Sequence, residues 1–282
     1  MTASDLEDDS PGQPAPPRSL IVTVYGLYAR EVGGWIGVST LIRLLAELDV
    51  DAQAVRSSIS RLKRREILVA ERRDGRAGYA LSPYARSVLE TGDRRIFERH
   101  AVTDDGWVIA VFSVPESERQ HRHQLRSRLA WLGFGTVSSG IWIAPAHALD
   151  DTRDHLLRHG LDQYVDLFRG DYVAFGDPAE QVGRWWDLDA LQKLYDDFVA
   201  EFTSMAERWA GPVKVSDRAA FVDYVQVLTA WRRLPYLDPG LPSTLLPATW
   251  SGTTAADLFA ALRHSLADPA HEFARSLLDD PS

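Results

Sequence analysis

Residues 51–81 constrain the fold of this chain more tightly than any other stretch. Asp51 stands where a helix N-cap belongs, since a short carboxylate accepts hydrogen bonds from the backbone N–H groups that open a helix. Beyond it, at about 100° per residue, Val55, Ile59 and Leu62 share one side. Gln53, Ser57, Ser60, Arg61 and Arg64 share the other, and Arg56 and Lys63 flank the seam. A helix of this kind docks on a core through one face and offers polar and guanidinium groups to a major groove with the other. Strand-like content follows over residues 67–72 and 78–81, joined by the basic, glycine-bearing turn RRDGRAG.

Upstream, residues 20–28 are almost continuously apolar, which predicts a buried helix broken by Gly33 and Gly34. Ser39 is the expected N-cap of a second helix carrying Leu41, Ile42, Leu44, Leu45 and Leu48 at helical spacing. Three helices and a hairpin make a winged helix-turn-helix, expected over residues 19–100. Its wing would carry Arg72, Arg73 and Arg76 to phosphates beside the groove. Ser82 and Pro83 open a further helix leading toward the next domain.

The charge distribution supports the same reading. Between residues 54 and 76 there are eight Lys or Arg against three acids, on a chain whose net charge is −9. A local basic island on an acidic chain attracts a polyanion to one face while the rest of the surface resists it. The bland alternative is a solvated helix face and a charged turn. Residues 1–18 combine acids with Pro14, Pro16 and Pro17 and are expected to form a disordered tail. No run of apolar residues is long enough to span a membrane and the N-terminus is unlike a signal peptide, so a soluble, cytoplasmic protein is expected. With no cysteine, disulfides, thiolate metal sites and cysteine nucleophiles are excluded.

A second domain is expected over residues 104–177, after a turn at 103–106. WVIAVFSV reads as a buried strand, PESERQHRHQLRSRLAWLG as a helix ending at Gly133, and FGTVSSGIWIAP as two strands around Gly140. DDTRDHLLRHGLDQYVDLF then reads as a helix and DYVAFG as the closing strand. The order β-α-β-β-α-β is the ferredoxin-like arrangement. GDPAEQVG reads as a linker, and residues 184–282 as a mainly helical domain with a fixed proline-rich loop over 235–247. The expected class is α+β.

Motifs for catalysis are weak. His121 and His123 sit two apart and diverge on a helix. His155 and His159 are spaced to share a face, but Asp151, Asp154 and Arg158 around them favour a solvated helix face over a metal site. There is no GxSxG, no phosphate loop and no dinucleotide fingerprint, so no catalytic residue, metal or cofactor is assigned. Trp131, Trp142, Trp185, Trp186, Trp231 and Trp250 either fill small cores or line an effector pocket. Arg126, Trp131, Trp231, Arg232 and Arg233 are the candidates for the second role, with arginines meeting phosphates of a ligand.

Several stretches together resemble the PaaX-like family of phenylacetate-degradation repressors. They are SLIVTVYGLYAR, LIRLLAELDVDAQAVRSSISRLKRREIL, VFSVPESERQHRHQLRSRLAWLGFGTVSSGIWIAP and WRRLPYLDPGLPSTLLPATW. The resemblance covers residues 19–266 and implies a homodimeric repressor of double-stranded operator DNA, released by an effector such as phenylacetyl-CoA or another aryl-CoA thioester. It further implies a middle domain like a small CRISPR adaptation nuclease. Such a nuclease carries a metal-binding Asp at the end of its first strand, where this chain has Ser113, Val114 and Pro115, so a reused scaffold is expected. Two other readings are a metal-dependent nuclease and a constitutive architectural DNA-binding protein.

Overall fold

A computed structural model describes residues 15–98, 106–173, 175–211 and 215–279. The expected tail lies largely outside these residues, as does most of the turn expected at 103–106. The first helix, α1, is Pro17–Val24, starting three residues earlier than expected, with Pro17 at a position where its missing N–H costs nothing. It runs on through a wider turn, Tyr25–Ala29, and a tight one, Arg30–Val32, before Gly33 and Gly34 take φ of 80° and 76° and end it.

A short strand that periodicity does not reveal follows, β1 (Trp35–Gly37). Helix α2 (Val38–Ala46) is entered from Gly37, so Ser39 lies inside it and is not its cap. Helix α3 (Ala52–Arg64) is capped by Asp51 as expected. Strands β2 (Leu68–Arg73) and β3 (Arg76–Leu81) are joined by Asp74 and Gly75, both at positive φ (49° and 78°). Two successive left-handed residues match the twist of the flanking strands, which is why Asp-Gly suits the tip. The sheet order is β1-β3-β2, so the wing has three strands. Gly78 pairs with Gly37, and a Cβ there would lie 2.4 Å from the Trp35 ring and 2.6 Å from the Ile36 carbonyl oxygen. Gly78→Ala is therefore expected to lower stability by about 1–3 kcal/mol, the usual cost of overpacking, read as a drop in denaturation midpoint. Helix α4 (Pro83–Phe97) opens on Ser82, whose hydroxyl accepts from Ala85 N at 3.0 Å.

The middle unit has β4 (Trp107–Phe112), α5 (Arg119–Trp131), β5 (Gly135–Ser138), β6 (Ile141–Pro145), α6 (Leu149–Arg158) and β7 (Val165–Gly170). Its antiparallel sheet has the order β5-β6-β4-β7. The βαββαβ order is as expected, but two boundaries are corrected. Gly160, at φ 63°, stops α6, and the closing strand is VDLFRG, not DYVAFG. Pairing with β4 in register from Val165 to Gly170 selects it. Residues 176–183 are not a plain linker: Asp177 accepts from Ala179 N at 2.9 Å and opens α7 (Pro178–Trp185).

The C-terminal part contains α8 (Leu188–Ala210), α9 (Asp217–Trp231), the single turn α10 (Leu234–Leu237) and α11 (Gly252–Leu278). In the proline-rich loop, Asp238 accepts from the Tyr195 hydroxyl at 2.6 Å and from Gly240 N at 2.7 Å, which fixes it to α8. Two main cores result. One lies in the middle unit, between the sheet residues Val108, Ala110 and Trp142 and the helix residues Leu125, Leu129 and Leu156. The other joins Ile21, Leu44 and Ile59 of the first three helices to Phe202, Phe221 and Leu262 of the C-terminal ones. The winged helix is thus built on the C-terminal helices and shares its core with them.

Candidate nucleic-acid interface and effector cleft

Asp51 accepts from Gln53 N at 2.8 Å and Ala54 N at 2.9 Å, pinning the start of α3. Val55, Ile59 and Leu62 are buried as the seam requires, and Ser58 is buried with them. The opposite face is exposed at Gln53, Arg56, Ser57, Ser60, Arg61, Lys63 and Arg64. Among the described residues, Arg56, Arg61 and Arg64 have no protein partner. Lys63 leans toward the wing, with its ammonium 5.9 Å from the Tyr79 ring centroid. Among the described residues no element covers this face, so the side chains the sequence singled out are presented together.

The wing differs in detail. Arg72 Nη2 donates to the Gly75 carbonyl at 2.6 Å and stays at the tip with Arg76. Arg73, expected at the tip, folds back. Its Nε donates to Glu71 at 2.6 Å, its Nη2 to the Gly33 carbonyl at 3.3 Å, and its guanidinium lies 5.6 Å from the Trp35 ring centroid. Trp35 is the missing signal: a single aromatic in a three-residue strand has no periodicity to announce it, yet it holds Arg73 against the sheet.

A cleft of about 610 Å³ opens where α4, the proline loop, α8, α9 and α11 meet. Its walls include Arg95, Tyr195, Trp231, Trp250 and Arg263, with His147 and Asp151 contributed by the middle unit. Arg95 Nε donates to the Pro235 carbonyl at 2.9 Å, and its guanidinium lies 5.1 Å from the Tyr236 ring centroid. Burial lowers the Arg95 pKa, while Tyr236, Asp151 and Asp238 act the other way. Trp231 donates to the Ile96 carbonyl at 3.0 Å and stacks on Phe259 with centroids 4.8 Å apart.

Of the five residues expected to meet an effector, only Trp231 lines this cleft. Trp131 stacks on Tyr236 at 5.2 Å, behind the wall. Arg126 is exposed on α5, Arg232 is buried with its Nη2 3.5 Å from the Ser19 carbonyl oxygen, and Arg233 lines a separate groove. Proximity to the proline loop in sequence was the wrong guide, because α9 turns Arg232 toward α1. Arg95 and Arg263, missed from sequence, come from helices distant in the chain and met only by folding.

The His155–His159 pair is corrected too. The rings stack with centroids 4.3 Å apart, and Arg128 Nη1 lies 2.9 Å from His155 Nε2. His155 also packs 5.1 Å from the Trp131 ring, so it does not lie on a solvated face. Burial first, then His159 and Arg128, lower its pKa to about 3. Its folded pKa lies below the unfolded value of about 6.5, so its contribution to stability is complete above pH 6.5 and is lost as pH falls toward 3. Urea midpoints should therefore fall between pH 7.5 and 4.5, and less so in His155→Gln.

Residues 16–85 match the family model described as PaaX-like protein, residues 100–182 the PaaX protein central Cas2-like domain, and residues 186–276 the PaaX-like protein C-terminal domain. The chain belongs to the PaaX-like family. A curated relative, the transcriptional repressor PaaX of Escherichia coli (strain K12), is 26% identical over 261 residues, covering 90% of this chain and 82% of the relative. The solved structure of the uncharacterized protein Rv0674 from Mycobacterium tuberculosis matches with a TM-score of 0.57 at 21% identity, over 88% of this chain and 99% of that one. That likeness concerns the fold alone. Among the described residues no helix is long and apolar enough to cross a membrane.

Proposed function

We propose that this PaaX-like chain is a transcriptional repressor that inserts α3 into the major groove of an operator and sets the wing on the adjacent backbone. The observation that carries this reading is the guanidinium-bearing face of α3, which no other described residue covers. Gln53, Ser57, Ser60, Arg61 and Arg64 are the base-reading candidates, and Arg56, Lys63, Arg72 and Arg76 face phosphate. Two copies would read a pseudo-palindromic site. The repressor relative supports the class of activity. Such a protein works where the chromosome is, in the cytoplasm.

The effector reading rests on the cleft. Its aromatic walls at Trp231 and Trp250 suit an aryl group, and Arg95 and Arg263 suit phosphates or a thioester oxygen. Arg95 belongs to α4, which begins at the wing, so a ligand that moves Arg95 also moves the DNA-binding unit. Release requires that the ligand favour a geometry unable to hold DNA, since equal affinity for both geometries shifts nothing. Titration of the full chain onto a duplex from the region upstream of its own gene, and onto a scrambled duplex, tests the first claim. Preference for the natural duplex is expected, and equal binding overturns it. Addition of phenylacetyl-CoA should lower that affinity, and no change overturns the choice of effector.

A further inference from the structure

We propose that residues 1–14 dock across the basic face of α3 and compete there with DNA. This segment, MTASDLEDDSPGQP, holds Asp5, Glu7, Asp8 and Asp9 and no Lys or Arg. The first described residues, Ala15 and Pro16, line the same groove as Asp51 and Ala54, so the segment departs beside the opening of α3. Fourteen residues reach about 46 Å when extended, at about 3.3 Å each, whereas the 13 residues of α3 span only about 20 Å. The whole exposed face is therefore within reach.

Two surfaces lie near that departure point, and charge decides between them. The groove itself is rimmed by Asp49, Asp51, Asp197 and Glu201. Against these four acids it holds two cations, Lys193, already paired with Asp197 at 2.7 Å, and the half-buried Arg233, so the acids prevail. Burial and then Asp197 raise the Glu201 pKa, the mark of a site that disfavours added negative charge. The α3 face, in contrast, presents Arg56, Arg61 and Arg64 with no partner among the described residues. A four-acid segment is repelled by the first surface and attracted by the second.

Exposed ion pairs are individually weak, about 0–1 kcal/mol, but the tether supplies an effective concentration of about a millimolar. A contact of that strength holds off random DNA, which offers only phosphate, and yields to an operator that adds base contacts. The segment would thus sharpen discrimination by suppressing non-specific binding. Only this functional consequence rests on the repressor reading; the docking itself does not.

Carbodiimide coupling of the full chain, followed by mass spectrometry, tests the contact, because the chain has few lysines: Lys63, Lys193 and Lys214. A link from residues 5–9 to Lys63, lost on adding excess duplex, is expected. A link to Lys193 would seat the segment in the groove and overturn the proposal, as would no link. In parallel, a chain beginning at Ala15 should bind random duplex about five- to thirtyfold more tightly at low salt. The gain should fade as salt is raised, and equal affinities overturn the competition. A Lys63 link with neither chain binding any DNA would leave the docked segment standing and overturn the repressor reading instead.

Discussion

A fragment ending at Glu98 is expected not to fold, although it contains every element of the winged helix. Helix α1 is the reason. Ile21, Val24 and Tyr25 are fully buried, and the Tyr28 ring lies 5.5 Å from Phe221 and 5.1 Å from His271 on the C-terminal helices. The Thr23 and Thr229 hydroxyls share a buried hydrogen bond of 2.8 Å, and Trp231 donates to the Ile96 carbonyl at 3.0 Å. Cutting away α8 to α11 exposes several large apolar side chains, at about 1.5–3 kcal/mol each when fully uncovered. It also removes the Thr229 and Trp231 hydrogen bonds that tie α1 and α4 to the C-terminal helices. The sum reaches the about 5–15 kcal/mol that holds a whole domain together. Far-UV circular dichroism and amide dispersion of residues 15–98 should show an unfolded or molten chain. A cooperative, well-dispersed fragment would show instead that the shared core is a docking interface.

The same packing explains what could be read from sequence and what could not. The cap, seam and exposed face of α3 were legible because each depends on residues within four positions of one another. The Asp-Gly wing tip was legible for the same reason. The order of strands and helices in the middle unit was also visible, but its last strand was displaced because VDLFRG and DYVAFG have similar composition. Pairing with β4, not composition, chooses between them. Trp35 and the cleft were invisible for another reason. Strand β1 exists because β3 pairs with it, and the cleft exists because α4 ends beside α9 and α11. Arg95 looks like any basic residue on a helix until Pro235 and Tyr236 are folded against it. Arg232, chosen for its neighbours in sequence, is instead buried beside α1.

The double substitution Arg61→Ala, Arg64→Ala is expected to abolish operator recognition while leaving the fold almost intact. Both side chains are exposed and neither has a protein partner among the described residues, so no packing is lost. They lie in the last turn of α3, where a cation favours the helix dipole by about 0.3–1 kcal/mol, and the thermal midpoint should fall only slightly. On DNA the loss is much larger. A bidentate base contact is worth about 1–3 kcal/mol of discrimination, so operator affinity should drop by about 2–6 kcal/mol, with preference over scrambled duplex falling alongside. Where either arginine also meets phosphate, each lost contact shallows the logarithmic salt slope by about 0.9. Arg73→Ala supplies the contrast. Because that guanidinium is held by Glu71, Gly33 and Trp35, its loss should loosen the wing and weaken all duplexes modestly and alike. Should the double variant and Arg73→Ala give the same profile on operator and scrambled DNA, α3 would not be the element that reads sequence.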